Sequence, residues 1–113
     1  MDDVIAYAHE LADKIKHCES MRQYEAAKAC VAADEALMLK IKEFKKIQIA
    51  FEWKKMQGEP PDFNEERYLS KLYTDLMLDD DAKAFLAAER AVLTMIEKLH
   101  QTIHTACQID VDF

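Results

Sequence analysis

The chain has 113 residues, half of them hydrophobic, with 15 basic and 22 acidic side chains and a net charge of −7. One glycine and two prolines exclude collagen-like and low-complexity classes, and the acidic balance argues against wrapping DNA or RNA, which needs a cationic surface to displace counterions. No apolar run approaches the ~20 residues that span a bilayer, and Met1-Asp2-Asp3 is acidic where a secretory leader would be basic.

These limits lead to the expectation of one soluble, cytoplasmic domain over residues 1–113, without membrane insertion or direct nucleic-acid binding. Ala, Leu, Met, Glu and Lys dominate, period-2 alternation is absent, and the strong break is Gly58-Glu59-Pro60-Pro61. The fold class is all-α, with about five helices including two long ones, a bundle expected to be completed by dimerisation.

The first helix is predicted over roughly residues 3–18, ending near Glu19. Ser20-Met21-Arg22-Gln23 fits an S-x-x-Q capping box and predicts the start of the second. Asp34 is a candidate N-cap for a third helix reaching about Gln57, and Asp62-Phe63-Asn64-Glu65 offers a cap for a fourth. Asp79-Asp80-Asp81 places negative charge at the positive end of a fifth helix, over about 80–106.

The third and fifth helices are long. At 1.5 Å per residue, ~24 and ~27 residues make rods of roughly 36 and 40 Å, against about 30 Å for a compact monomer of this size. Leu37, Ile41, Phe44, Ile47 and Phe51 form one seam of the third helix. Met38, Ile49, Trp53 and Met56 add apolar surface at other angles. In the fifth, Phe85, Val92, Ile96, Leu99, Ile103 and Ala106 follow 3–4 spacing, Leu86 and Leu93 widen the stripe, and Glu89 interrupts it. A helix apolar on more than one face needs more than one neighbour, and a homodimer supplies it.

Four constellations invite a chemical reading. His100, His104 and Cys107 share one helix face at i, i+4 and i+7, with Asp110 nearby as an oxygen donor for a metal such as Zn²⁺. Packing and interaction with the helix dipole account for the same residues, so no resident metal is assigned. His17-Cys18 are adjacent and therefore ~100° apart on a helix, poorly placed for proton exchange. Cys30, among alanines, reads as a small core residue, and the three cysteines read together as free, buried thiols in a reducing compartment.

Glu89 is the third constellation: a carboxylate in an apolar seam, read as a register-fixing structural group with a partner on a facing helix. The fourth is basic. Lys40, Lys42, Lys45, Lys46, Lys54 and Lys55 stand against Glu43 and Glu52, a net of +4 that leaves −11 on the rest of the chain. A solvated face with covering lysine stems explains this, and so does a partner-docking patch, for which Lys45, Lys46, Lys54 and Lys55 are the candidates. Phosphate-binding glycine loops and Ser/His/Asp arrangements are absent, so no catalytic residues and no cofactor are assigned.

The order of these pieces resembles the YlbF/YmcA family of small helical bacterial regulatory proteins, over about residues 4–107. The likeness rests on Ala12 and Ile15, then Ser20, Tyr24 and Ala27, then Asp34-Glu35-Ala36, Phe44, Gln48 and Gly58, and finally Phe85-Leu86-Ala87-Ala88-Glu89. It implies a non-enzymatic regulatory partner in competence, sporulation or biofilm formation. It also implies protein partners in a complex that associates with the endoribonuclease RNase Y and influences mRNA processing. Members linked to iron–sulfur clusters carry extra cysteines near the C-terminus, whereas this chain has Cys107 alone there. A metal- or cluster-dependent sensor using His100, His104 and Cys107, its ligands shared with partners, is the alternative function.

Overall fold

Asp34 and Asp62 show why the helices begin where they do. Each adopts an extended backbone and turns its carboxylate onto the exposed amides of the next turn. Asp34 accepts from the Leu37 amide at 3.1 Å, and Asp62 from those of Asn64 and Glu65. Asp79 does the same for the Ala82 amide at 3.0 Å. The computed structural model describes residues 1–108, and in it these caps open three of five helices: α1 (Asp2–Lys16), α2 (Glu19–Ala32), α3 (Glu35–Met56), α4 (Phe63–Met77) and α5 (Asp80–Cys107). The protein is all-α; the described residues contain no strand.

The start of α2 corrects the capping-box expectation. Cys18, not Ser20, supplies the first carbonyl of the helix, to the Arg22 amide, so Ser20 already lies inside the first turn. Gln23 donates its side-chain amide to Glu19 instead of reaching back to Ser20. Arg22 turns the other way: its guanidinium donates twice to the His17 carbonyl, at 3.0 and 3.2 Å, and so satisfies an acceptor at the end of α1. The chain thus passes from α1 to α2 through a tight two-residue joint.

The end of α3 is fixed by Gly58. Its φ of +77° lies in the left-handed region, where the amides of Gly58 and Glu59 fold back onto the carbonyls of Lys55 and Lys54. That paired pattern is a Schellman cap. Pro60 and Pro61 follow and prevent the helix from resuming.

The described chain divides into two compact units. One, Ala27–Phe85, contains the end of α2, all of α3 and α4, and the first turn of α5. Its core is Val31, Leu37, Ile41, Phe44, Leu76, Ala82 and Phe85, with α3 packed on α4. The Phe44 and Tyr73 rings meet at 5.9 Å between centroids.

The other unit joins α1 and the start of α2 to α5 beyond Phe85. Its described buried apolar residue is Val92. Helix α1 buries none, although Val4, Ile5, Ala8, Leu11, Ala12 and Ile15 line one side of it. Cys18 meets the Met95 sulfur at 3.8 Å in the same unit.

Candidate interaction surface

Helix α3 carries two apolar faces, and only one is used within its unit. Leu37, Ile41 and Phe44 are buried, flanked by half-buried Ile47, Gln48 and Phe51. At 100° per residue the opposite side carries Leu39, Lys42, Lys46, Ile49, Ala50, Trp53 and Met56. All seven are exposed; Trp53 has 60% and Met56 81% of its surface in contact with solvent. The spacing 39–42–46–49–53–56 is a 3–4 repeat, the pattern of a seam that packs against a helix. The two glutamates of the basic segment lie off this face.

The four candidate lysines do not form one patch. Around the α3 axis, Lys45, Lys46, Lys54 and Lys55 point in four different directions, and three of them are engaged within their own unit. The Lys45 ammonium lies 5.0 Å from the centre of the Phe85 ring, and that of Lys55 lies 5.6 Å from the Phe51 ring. Lys54 donates to Glu65 of α4 at 2.7 Å. That hydrogen bond, and then the charge of Glu65, hold the Lys54 ammonium above the ordinary lysine range. Lys46, by contrast, faces solvent on the outer side of α3.

A second polar clasp ties the hairpin. The Tyr68 hydroxyl donates to Glu43 at 2.9 Å, which raises its pKa above the ordinary phenol value because the hydrogen bond requires the protonated form. Sequence reasoning missed both clasps, since nothing in one helix announces which residue of the next lies opposite. It also left Leu39 out of the surface, and Lys42 out of the four candidate lysines though not out of the basic segment. Their 3–4 spacing with Ile49, Trp53 and Met56, half a turn away from Leu37, Ile41 and Phe44, was the signal.

The other candidates are positioned differently. His100 and Cys107 are exposed and His104 half-buried on α5, while Asp110 lies outside the described residues. Among the described residues, no group of three or more His, Cys, Asp or Glu side chains is placed to hold a metal ion. The cysteines correct an expectation: Cys30 and Cys107 are exposed and Cys18 is half-buried, so these are not buried core thiols. Cys30 sits on the solvent side of α2 because Val31 takes the inward position. Glu89 is half-buried and has an interaction partner.

A hollow of about 240 Å³ lies between Phe51, Lys54, Lys55, Pro60, Pro61 and Glu65, and wider, shallow depressions of about 660 Å³ along Phe63, Glu66 and Ser70 and about 440 Å³ beside His100 and His104 lie open to solvent. No described helix is long and apolar enough to cross a membrane. What the described surface offers is helix faces, apolar and partly charged, with open depressions beside them.

Comparison with known proteins agrees with this picture of a small helical body. The model of the family described as control of competence regulator ComK, YlbF/YmcA, matches residues 4–108, and the chain belongs to that family. A UPF0342 protein of Caldicellulosiruptor bescii is 31% identical over 103 residues, covering 91% of this chain and 87% of that protein. The UPF0342 protein STH1710 of Symbiobacterium thermophilum is 26% identical, covering 95% and 96%. Among solved structures, a protein of unknown function (DUF964) from Bacillus stearothermophilus shares the fold at a TM-score of 0.81 and 20% identity, over 94% of this chain and 93% of that one. Bacillus subtilis RicA, solved in complex with RicF, shares it at a TM-score of 0.65 and 24% identity, over 94% of each chain.

Proposed function

For this member of the YlbF/YmcA family, we propose a non-enzymatic regulatory role exercised by protein–protein contact. The observation that carries it is the apolar surface left open along three helices: Val4, Ile5 and Leu11 on α1, Ile49, Trp53 and Met56 on α3, and Leu93, Ile96 and Ile103 on α5. Exposed apolar surface gathered along helix faces marks contact with another protein. The complex of Bacillus subtilis RicA with RicF supports the same reading.

The finer reading is an assembly influencing mRNA processing around RNase Y, with outcomes in competence, sporulation or biofilm formation. Self-association covers the stripes of α1 and α5, and the basic segment of α3 guides a partner, with Lys45, Lys46, Lys54 and Lys55 supplying charge. Such charges act mainly on encounter rate and salt sensitivity.

The test is affinity capture from the native bacterium with wild-type chain and with Lys45, Lys46, Lys54 and Lys55 changed to Gln, which keeps the stems and avoids setting a new acid beside Glu65. The expected result is weaker and less salt-sensitive capture at unchanged helix content. Capture unaltered by these changes and by Asp at exposed apolar positions of all three helices, Ile5, Ile49 and Leu93, overturns the reading. So does turnover of a substrate by the purified chain at roughly 1 s⁻¹ or faster.

A further inference from the structure

We infer that the outer face of α3 is a docking surface for an acidic amphipathic helix of another protein, an inference that rests on the interaction reading above. The face spans Leu39 to Met56, about 26 Å along the axis, or roughly five turns of a partner helix. Its two ends differ. Lys42 and Lys46, with Leu39, occupy the first turns, and Ile49, Trp53 and Met56 form an uninterrupted exposed apolar stretch in the last ones. Within that span both charges are positive, in a chain whose net charge is −7; Glu35 lies on the same side one turn before Leu39.

Charge complementarity selects the occupant. A helix with apolar residues at i, i+3 or i+4 and i+7, and with Asp or Glu where it crosses Lys42 and Lys46, satisfies both ends of the face. Neither α3 nor α1 of a second copy does, and the α5 stripe, which carries Glu89 and Glu97, is taken up by self-association in the reading above. Pairing two α3 faces over Leu39–Met56 sets Lys42 and Lys46 against apolar residues or against each other, and Glu35, one turn before Leu39, reaches them only in registers that leave Ile49, Trp53 and Met56 uncovered. The acids of α1, Asp2, Asp3, Glu10 and Asp13, stand on the side of that helix opposite its apolar stripe, so α1 offers apolar surface or acid but not both. An anionic membrane is disfavoured by the −11 carried outside the basic segment.

Trp53 is the single tryptophan of the chain, so its emission reports cover on this face alone. The probes are two synthetic helical peptides of about 18 residues with leucine at every seam position. One carries Glu and the other Lys beside the seam at the end that meets Lys42 and Lys46. The expected result is a saturable blue shift of Trp53 emission with the Glu peptide, weakened by salt, and at least tenfold weaker binding of the Lys peptide. Lys42→Glu with Lys46→Glu should reverse that preference, and the reversal keeps the test valid against a merely sticky surface.

Equal binding of both peptides, or no shift with either, overturns the inference. A blue shift that grows with protein concentration alone also overturns it, because a second copy then covers the face. If native capture survives the double reversal combined with Ile49→Asp but fails in the chain lacking the α1 and α5 stripe residues, this surface is wrong while the interaction reading stands. If no variant of any helix face alters capture, both fall.

Discussion

Asp34 does more for α3 than its exposed position suggests. A helix of 22 residues begins with unsatisfied amides, and the Asp34 carboxylate takes that of Leu37, one turn before the buried Ile41 and two before Phe44. Asp34→Ala should therefore cost about 1 kcal/mol, with thermal unfolding lowered by several degrees. Ser20→Ala should stay within about 0.5 kcal/mol, because Ser20 lies inside α2 and caps nothing. Urea unfolding followed by circular dichroism compares the two, and an equal loss in both would contradict the assigned caps. These residues also mark how far local sequence is legible. Asp34 and Asp62 are read correctly because a cap is a local event, decided within three residues. Ser20 is misread because the joint of α1 to α2 is decided by Arg22 reaching back to His17, a longer-range satisfaction that no spacing rule contains.

Pairs of helices obey constraints that single helices do not show. The α3–α4 hairpin is closed at the Gly58 turn by a Schellman cap and clasped by Lys54–Glu65 and Tyr68–Glu43. In both clasps the folded state favours the protonated donor, so each group's pKa is raised. Their stabilisation is then fully present below the unfolded values, about 10 for tyrosine and 10.4 for lysine. It is lost as pH rises through the higher folded values. The expected outcome is that phenolate absorbance assigned by difference from Tyr68→Phe titrates above the ordinary tyrosine value, and that Glu43→Gln brings it back down. A Tyr68 titration unmoved by Glu43→Gln would count against the clasp. At this scale the buried seam Leu37, Ile41 and Phe44 is legible, since 3–4 spacing is a property of one helix. The distribution of the lysines is not: consecutive or near neighbours such as Lys45 and Lys46, or Lys54 and Lys55, look like clusters in sequence but diverge by ~100° around the axis. Lys45, Lys54 and Lys55 then take the neighbour that packing brings, a phenyl ring or a carboxylate, while Lys46 faces solvent.

For the whole molecule the decisive quantity is how much apolar surface is left without a neighbour. In the unit that joins α1 to α5, Val92 is buried, while Val4, Ile5, Leu93 and Ile103 are each roughly half or more exposed and Ile96 is 39% exposed. Helices of 22 and 28 residues, about 33 and 42 Å long, are close to the lengths read from sequence, and their apolar residues continue nearly to their ends. Fully burying one Leu or Ile is worth about 1.5–3 kcal/mol. Several such side chains along one stripe therefore favour association, once the cost of immobilising two bodies is met. A closed two-fold pairing is the commonest way for identical chains to share such a surface. The expectation is sedimentation at tens of micromolar as a species of about twice the 13.1 kDa chain mass. Leu93→Asp with Ile103→Asp, both at exposed positions, should return it to single-chain mass with helix content retained. Ile96→Asp, at a position closer to the packed side, should lower stability as well. Trp53 emission should not follow this change in mass, since the stripe of α5 and the outer face of α3 are assigned to different neighbours. A single-chain species for the unmodified protein at those concentrations would remove self-association, and a mass unchanged by the double substitution would move the interface elsewhere.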